Sequence, residues 1–131
     1  MLGRLSRRLK AEAVHPIRLT SVLARLERDG PLGTSDLAER ERMRPQSMAE
    51  TVKELEAEGW ATRHGDPSDG RRQLVTLTSA GRKALAADRS RREDWLGEAI
   101  ARRLSHREQE TLARAIELLA RLADDSDNAR S

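Results

Sequence analysis

Along most of this chain apolar residues return every three or four positions, the spacing of helices that bury one side. Leu2, Leu5, Leu9 and Ala13 make the first such stripe, with Arg4, Arg7, Arg8 and Lys10 covering the other side. A stripe that narrow on a helix that short does not hold in water by itself, so a partner helix is expected, supplied by a second copy of the chain. Val14-His15-Pro16 interrupts the pattern, and Pro16 opens a second helix whose Ile17, Leu19, Val22, Leu23 and Leu26 face inward. Asp29-Gly30-Pro31-Leu32-Gly33 ends it.

Two shorter helices follow. Thr34 to Arg40 begins with a residue able to cap a helix and places acidic residues where the helix dipole favours them. After a basic turn at Arg42-Met43-Arg44, Pro45 starts the second of the pair and Gly59 stops it. On that second helix Met48, Val52 and Leu55 share one side, Gln46, Glu50, Lys53 and Ala57 the other, and Ser47 and Ala49 flank them. Helix, tight turn, helix is the arrangement that sets a rod in the major groove of DNA. The exposed amino-terminal edge would carry Arg44, Gln46, Ser47 and Glu50, and Gln, Arg and Ser are side chains that pair with base edges.

Trp60-Ala61-Thr62-Arg63 and Gln73-Leu74-Val75-Thr76-Leu77 read as two paired strands, with a turn-rich loop from Gly65 to Arg72 between them. A hairpin after a helix-turn-helix is a wing, and Arg71 and Arg72 near its tip are suited to a narrow minor groove. Thr78 then caps a helix from about Ser79 to Arg103, roughly 38 Å long, whose middle from Asp88 to Asp94 is almost wholly charged. Ser105-His106-Arg107-Glu108 is a capping box for a last helix with an apolar face of Leu112, Ala115, Ile116, Leu119, Leu122 and Ala123. The polar, acidic tail from Asp124 to Ser131 is expected to be disordered.

The segments Asp36-Leu37-Ala38, Arg44-Pro45-Gln46-Ser47-Met48, Leu55-Glu56-Ala57-Glu58-Gly59, Asp66-Pro67-Ser68-Asp69-Gly70-Arg71-Arg72 and Leu77-Thr78-Ser79-Ala80-Gly81 together resemble the MarR family of bacterial transcriptional regulators. The resemblance departs from the family pattern at Glu50, a position often basic, and in a short segment before Pro16. It implies a mainly α fold with a small two-stranded β wing, a winged helix-turn-helix at 17–78, and dimerisation helices at 1–14 and 79–123, all in one domain over 1–123. It also implies a dimeric repressor that binds double-stranded DNA at a pseudo-palindromic operator and is released by a small-molecule effector. DNA contacts are then expected from Thr34, Arg44, Pro45, Gln46, Ser47, Glu50, Thr51, Lys53, Arg63, Arg71 and Arg72. Asp69 would brace the wing by an ion pair to Arg71 or to a neighbouring helix, while a tip arginine enters the minor groove. The dimer would form on Leu2, Leu5, Leu9, Leu112, Ile116, Leu119 and Leu122. Trp60 is expected in the core, and Trp95 along a dimer seam or an effector cleft.

Composition narrows the alternatives. A length of 131 residues allows one core, and near-equal hydrophobic (37%) and charged (36%) shares suit a thin protein that completes itself by pairing. Two tryptophans are too few for stacking single-stranded bases, which leaves duplex recognition. The net charge is only +3, yet from Arg63 to Arg92 there are eight basic residues against three acidic, so the positive field gathers on the wing and the helix behind it. Absence of cysteine removes disulfides, thiol switches and cysteine-ligated zinc. His15, His64 and His106 lie in separate segments without metal-site spacing, and no nucleophile, base and acid form a catalytic set; neither cofactor nor enzyme activity is expected. No apolar run reaches a membrane span and no signal peptide opens the chain, which points to the cytoplasm. The competing function is a winged helix that docks a protein through an acidic face at Glu50 and Glu54.

Overall fold

The computed structural model describes residues 2–128, which form six helices and a three-stranded antiparallel sheet. The elements run α1 (Leu2–Ala11), α2 (Ile17–Asp29), β1 (Leu32–Gly33), α3 (Thr34–Arg40), α4 (Pro45–Ala57), β2 (Ala61–Asp66), β3 (Asp69–Leu77), α5 (Ser79–Arg103) and α6 (His106–Asn128). Two compact units divide the chain, one ending at Glu93 and the other starting at Asp94, and α5 passes through the division.

In the first unit, α2, α3, α4, β3 and the start of α5 converge on one core. Leu23, Leu37, Met48, Leu55 and Leu85 are among its fully buried side chains, each contributing about 1.5–3 kcal/mol relative to exposure. The predicted inner faces hold with one exception. Ile17 is 42% exposed, since as the first residue of α2 it precedes the turn that packs on the core.

The sheet has one strand more than expected. Leu32 and Gly33 pair with Val75 and Leu74, which makes β3 the central strand of the order β1-β3-β2. Two residues beside a Gly-Pro turn carry no periodicity, so their partner on β3 decides their conformation. The hairpin also reaches further than predicted. β2 and β3 run almost to Pro67-Ser68, and Trp60 lies just before β2. At the tip Asp66 Oδ1 accepts hydrogen bonds from the Ser68 hydroxyl (2.7 Å) and the Ser68 amide (2.9 Å), which hold its carboxyl below the usual range.

Helix boundaries follow local chemistry. Pro45 occupies the first position of α4, and at the other end Gly59 takes φ 76° while its amide donates to Glu56 O (3.0 Å) and the Trp60 amide to Leu55 O (2.9 Å). This double closure satisfies carbonyls that the helix leaves open. α3 ends the same way, with Arg42 amide to Glu39 O (3.2 Å) and Met43 amide to Ala38 O (2.8 Å). There the left-handed residue is Arg42 at φ 55°, at a cost of roughly 1–2 kcal/mol. Thr34 does not cap α3. Gly33 is the N-cap, and Thr34 is the first helical residue because β1 runs directly into the helix.

Thr78 ties three elements together. Its hydroxyl donates to Gly59 O (2.6 Å) and accepts from the Gly81 amide (3.0 Å), and its own amide donates to Trp60 O (3.0 Å). α2 and α3 are joined at the surface by Arg40 on Asp29 (2.8 Å) and by Arg25 on Glu41 just past α3 (3.3 Å), while Arg25 also pairs with Asp29 within α2 (3.4 Å). Arg40, then Arg25, holds the Asp29 carboxyl below its usual range.

In the second unit the capping box forms as predicted. The Ser105 amide donates to Glu108 Oε1 (2.8 Å) and the Glu108 amide to Ser105 Oγ (3.2 Å), which depresses the Glu108 carboxyl. The segment expected to be disordered from Asp124 is helical as far as Asn128, and its last three residues lie outside those described. No glycine or proline follows Ser105, so extension of the formed helix meets no breaker.

Two consequences are measurable. A methyl at Gly81 would come within 2.2 Å of the Trp60 carbonyl oxygen, a backbone atom that cannot step aside, so Gly81→Ala should destabilise the fold by about 1–3 kcal/mol in urea unfolding. Because the folded Asp29 carboxyl is depressed, its contribution is present above the unfolded value near 3.8 and is lost as pH falls through the lower folded value. Asp29→Asn should therefore flatten the acid limb of stability against pH in that window, followed by circular dichroism.

Candidate nucleic-acid interface

α3, the turn at Arg42, and α4 form the helix-turn-helix, with α4 inserted so that Met48, Val52 and Leu55 are wholly buried. That burial turns Arg44, Gln46, Ser47, Glu50 and Lys53 outward, all exposed, with Pro45 at the helix start. Thr51 does not belong with them. It is 3% exposed, because a position three after Met48 and four before Leu55 lies on the inner side of a helix. Arg44, the N-cap, makes no side-chain bond to the first-turn amides.

Further along α4, Glu54 is engaged by Arg18 of α2 at 2.5 Å, a pair that lowers the Glu54 carboxyl chiefly through the hydrogen bond. Glu56 is engaged by Arg63 of β2 at 2.7 Å. Two of the acidic residues of the recognition helix are thereby neutralised by neighbours.

The wing places its arginines differently from the expected loop tip. Both belong to β3. Between the pairs Gly65–Gln73 and Asp66–Asp69 the register jumps, so that Gly70, Arg71 and Arg72 on β3 face no residue of β2. This bulge turns them out of the ladder. Asp69 braces it, but not by an ion pair: Asp69 Oδ1 accepts the Arg71 amide at 3.1 Å, and the ion pair from wing to neighbouring helix is made by Arg72 with Asp36. Thr34 and Ser35 border the same side, in a groove of about 460 Å³ lined also by Gly33, Arg63, Arg71 and Gln73. Sequence reasoning passed over Asp36, Gly33 and Arg18, whose signal lay in pairings between segments far apart along the chain.

Trp60 is half-buried against the core, its ring edge-on to His15 with centroids 4.7 Å apart. Trp95 is half-buried on α5. Of the expected dimer residues, Leu9 and Leu112 are half-buried, while Leu2 (82%), Leu5, Ile116, Leu119 (63%) and Leu122 are exposed. Among the described residues no three histidine, aspartate or glutamate side chains converge as ion ligands. No described helix is long and apolar enough to cross a membrane.

A buried-faced helix-turn-helix with a bulged, arginine-bearing hairpin behind it defines a winged helix-turn-helix regulator. The MarR family model matches residues 17–72. An uncharacterised HTH-type transcriptional regulator of Mycobacterium bovis is 36% identical over 126 residues, 94% of this chain and 87% of that protein. The crystal structure of a Pseudomonas aeruginosa transcriptional regulator protein superposes with a TM-score of 0.81 at 37% identity, over 94% of this chain and 87% of the other. A mutant of S. aureus MepR bound to an oligodeoxyribonucleotide shares the fold, with a TM-score of 0.71 at 22% identity over 92% and 94% of the two chains. The chain belongs to the MarR family of transcriptional regulators.

Proposed function

We propose that the protein is a sequence-specific DNA-binding regulator that works as a symmetric dimer on a pseudo-palindromic site. The observation that carries this is the exposed edge Arg44, Gln46, Ser47 and Glu50 on a helix whose other face is locked in the core. Amides of the first turn of α4 are left open to phosphate, Gln46 and Ser47 reach base edges, and Arg71 on the wing enters the minor groove. Support also comes from the family and from the oligodeoxyribonucleotide bound by MepR, a protein of the same fold. Repression relieved by a small effector is the mode that family membership suggests. A protein-docking role would draw on an acidic face, and Arg18 already occupies half of it at Glu54.

Glu50 is exposed and so must accept a hydrogen bond from a cytosine amino group, pair with a basic neighbour such as Lys53, or repel phosphate. We assign it to cytosine. In a binding selection on randomised half-sites, Glu50→Ala should relax one base position per half-site while affinity for random duplex stays level or rises. Gln46→Ala should cost about 1–3 kcal/mol on the preferred site and much less elsewhere. An unchanged preferred sequence in both variants would move base reading to another element. Wild-type affinity should fall steeply with salt, and absence of duplex binding would favour the protein-docking class.

Leu2 and Leu5 of α1 and Ile116 and Leu119 of α6 expose apolar surface that a second copy would cover. Deleting residues 1–10 should weaken the dimer in sedimentation velocity. A truncated protein that remains fully dimeric at low micromolar concentration excludes α1 from the interface.

A further inference from the structure

We infer that Arg72 is a positioning residue: through Asp36 it latches the wing to the helix-turn-helix and so sets where Arg71 stands relative to the recognition helix. The inference rests on the DNA-binding function proposed above.

Three observations lead to it. First, the bulge leaves Gly70, Arg71 and Arg72 without partners on β2, so ladder hydrogen bonds to β2 do not fix that stretch. Second, the Arg72 guanidinium is ion-paired to Asp36, in the first turn of α3, just before Leu37 and Ala38 enter the core. Its path crosses Gly33 so closely that a methyl there would lie 2.8 Å from Arg72 Nε. Third, of the three arginines lining the groove, Arg63 is held by Glu56 and Arg72 by Asp36. Among the described residues the Arg71 guanidinium alone is left unpaired there, one free cation for one DNA contact. A wing held in place before binding loses less freedom when DNA docks.

The sign of one substitution separates this from a bystander pair. Removing a carboxylate near DNA should ordinarily tighten binding, yet Asp36→Asn should weaken it about two- to fivefold, the scale of a part-exposed ion pair. Arg72→Gln should do the same with the salt slope unchanged, the double variant should be no worse than either, and Arg72→Lys should recover most of the affinity. Arg71→Ala, by contrast, should reduce the salt slope by about one. Gly33→Ala is an independent probe, since φ −70° and ψ 157° suit alanine and its methyl displaces Arg72. Tighter binding by Asp36→Asn, or a slope lowered by one in Arg72→Gln, overturns the latch. Without DNA, amide exchange at Gly70 to Gln73 should quicken in Asp36→Asn and Gly33→Ala, and unchanged exchange also overturns it. If the wild type shows no salt-sensitive duplex binding, the DNA-binding function fails, and amide exchange decides the latch alone.

Discussion

The structure depends on a junction where two carbonyls at the end of the recognition helix meet the start of α5. Gly59 O and Trp60 O accept the hydroxyl and the amide of Thr78, and Thr78 in turn caps Gly81. One residue thereby ties down the turn after α4, closes the base of the β2–β3 hairpin and caps the start of α5, the longest helix among the described residues. Gly81 is required because the helix backbone lies directly on Trp60 O, with no room for a side chain. Recognition helix and wing therefore leave one rigid point.

Electrostatics then sort the many arginines by partner. Arg18, Arg40, Arg63, Arg72 and Arg89 each hold a carboxylate of another element and so help keep helices and wing in register. Exposed pairs of this kind are screened by solvent and individually add little stability. Arg44 and Lys53 of the helix-turn-helix and Arg71 of the wing are exposed and stay outside the described ion pairs.

Asp88 shows the same economy inside the fold. Buried on α5, it accepts the Val14 amide at 2.8 Å and the His15 amide at 3.1 Å, and so binds the turn between α1 and α2 to the helix behind the wing. Among the described residues its second oxygen has no hydrogen-bond partner. From the sequence Asp88 looked like the start of a solvated charged stretch. Its neighbours from Arg89 to Arg91 are exposed, as that stretch implies, but Asp88 itself lies one helical turn beyond Ala84 and Leu85 on the inner side.

What depends on near neighbours was legible from the residues themselves. The helix spans short of the tail after Ala123, the Pro45 start, the Gly59 stop, the Thr78 cap, the Ser105–Glu108 box and the inner face of α4 all rest on contacts within a few positions, where spacing and side-chain chemistry suffice. Arg42 at a left-handed position escaped, since arginine carries no turn signal and tolerates that backbone only because Glu39 and Ala38 carbonyls hold it there. Tertiary structure alone decided β1, which exists through Val75 and Leu74, the length of β3 that takes Arg71 and Arg72 out of a loop, and the bulge that leaves them unpaired on β2. It also decided that Arg72 meets Asp36 and that Thr51 is hidden. A one-residue shift in register exchanges the faces of a strand, and a pairing between distant segments leaves no periodic trace in either, so the fold had to bring those segments together before the roles of these residues existed.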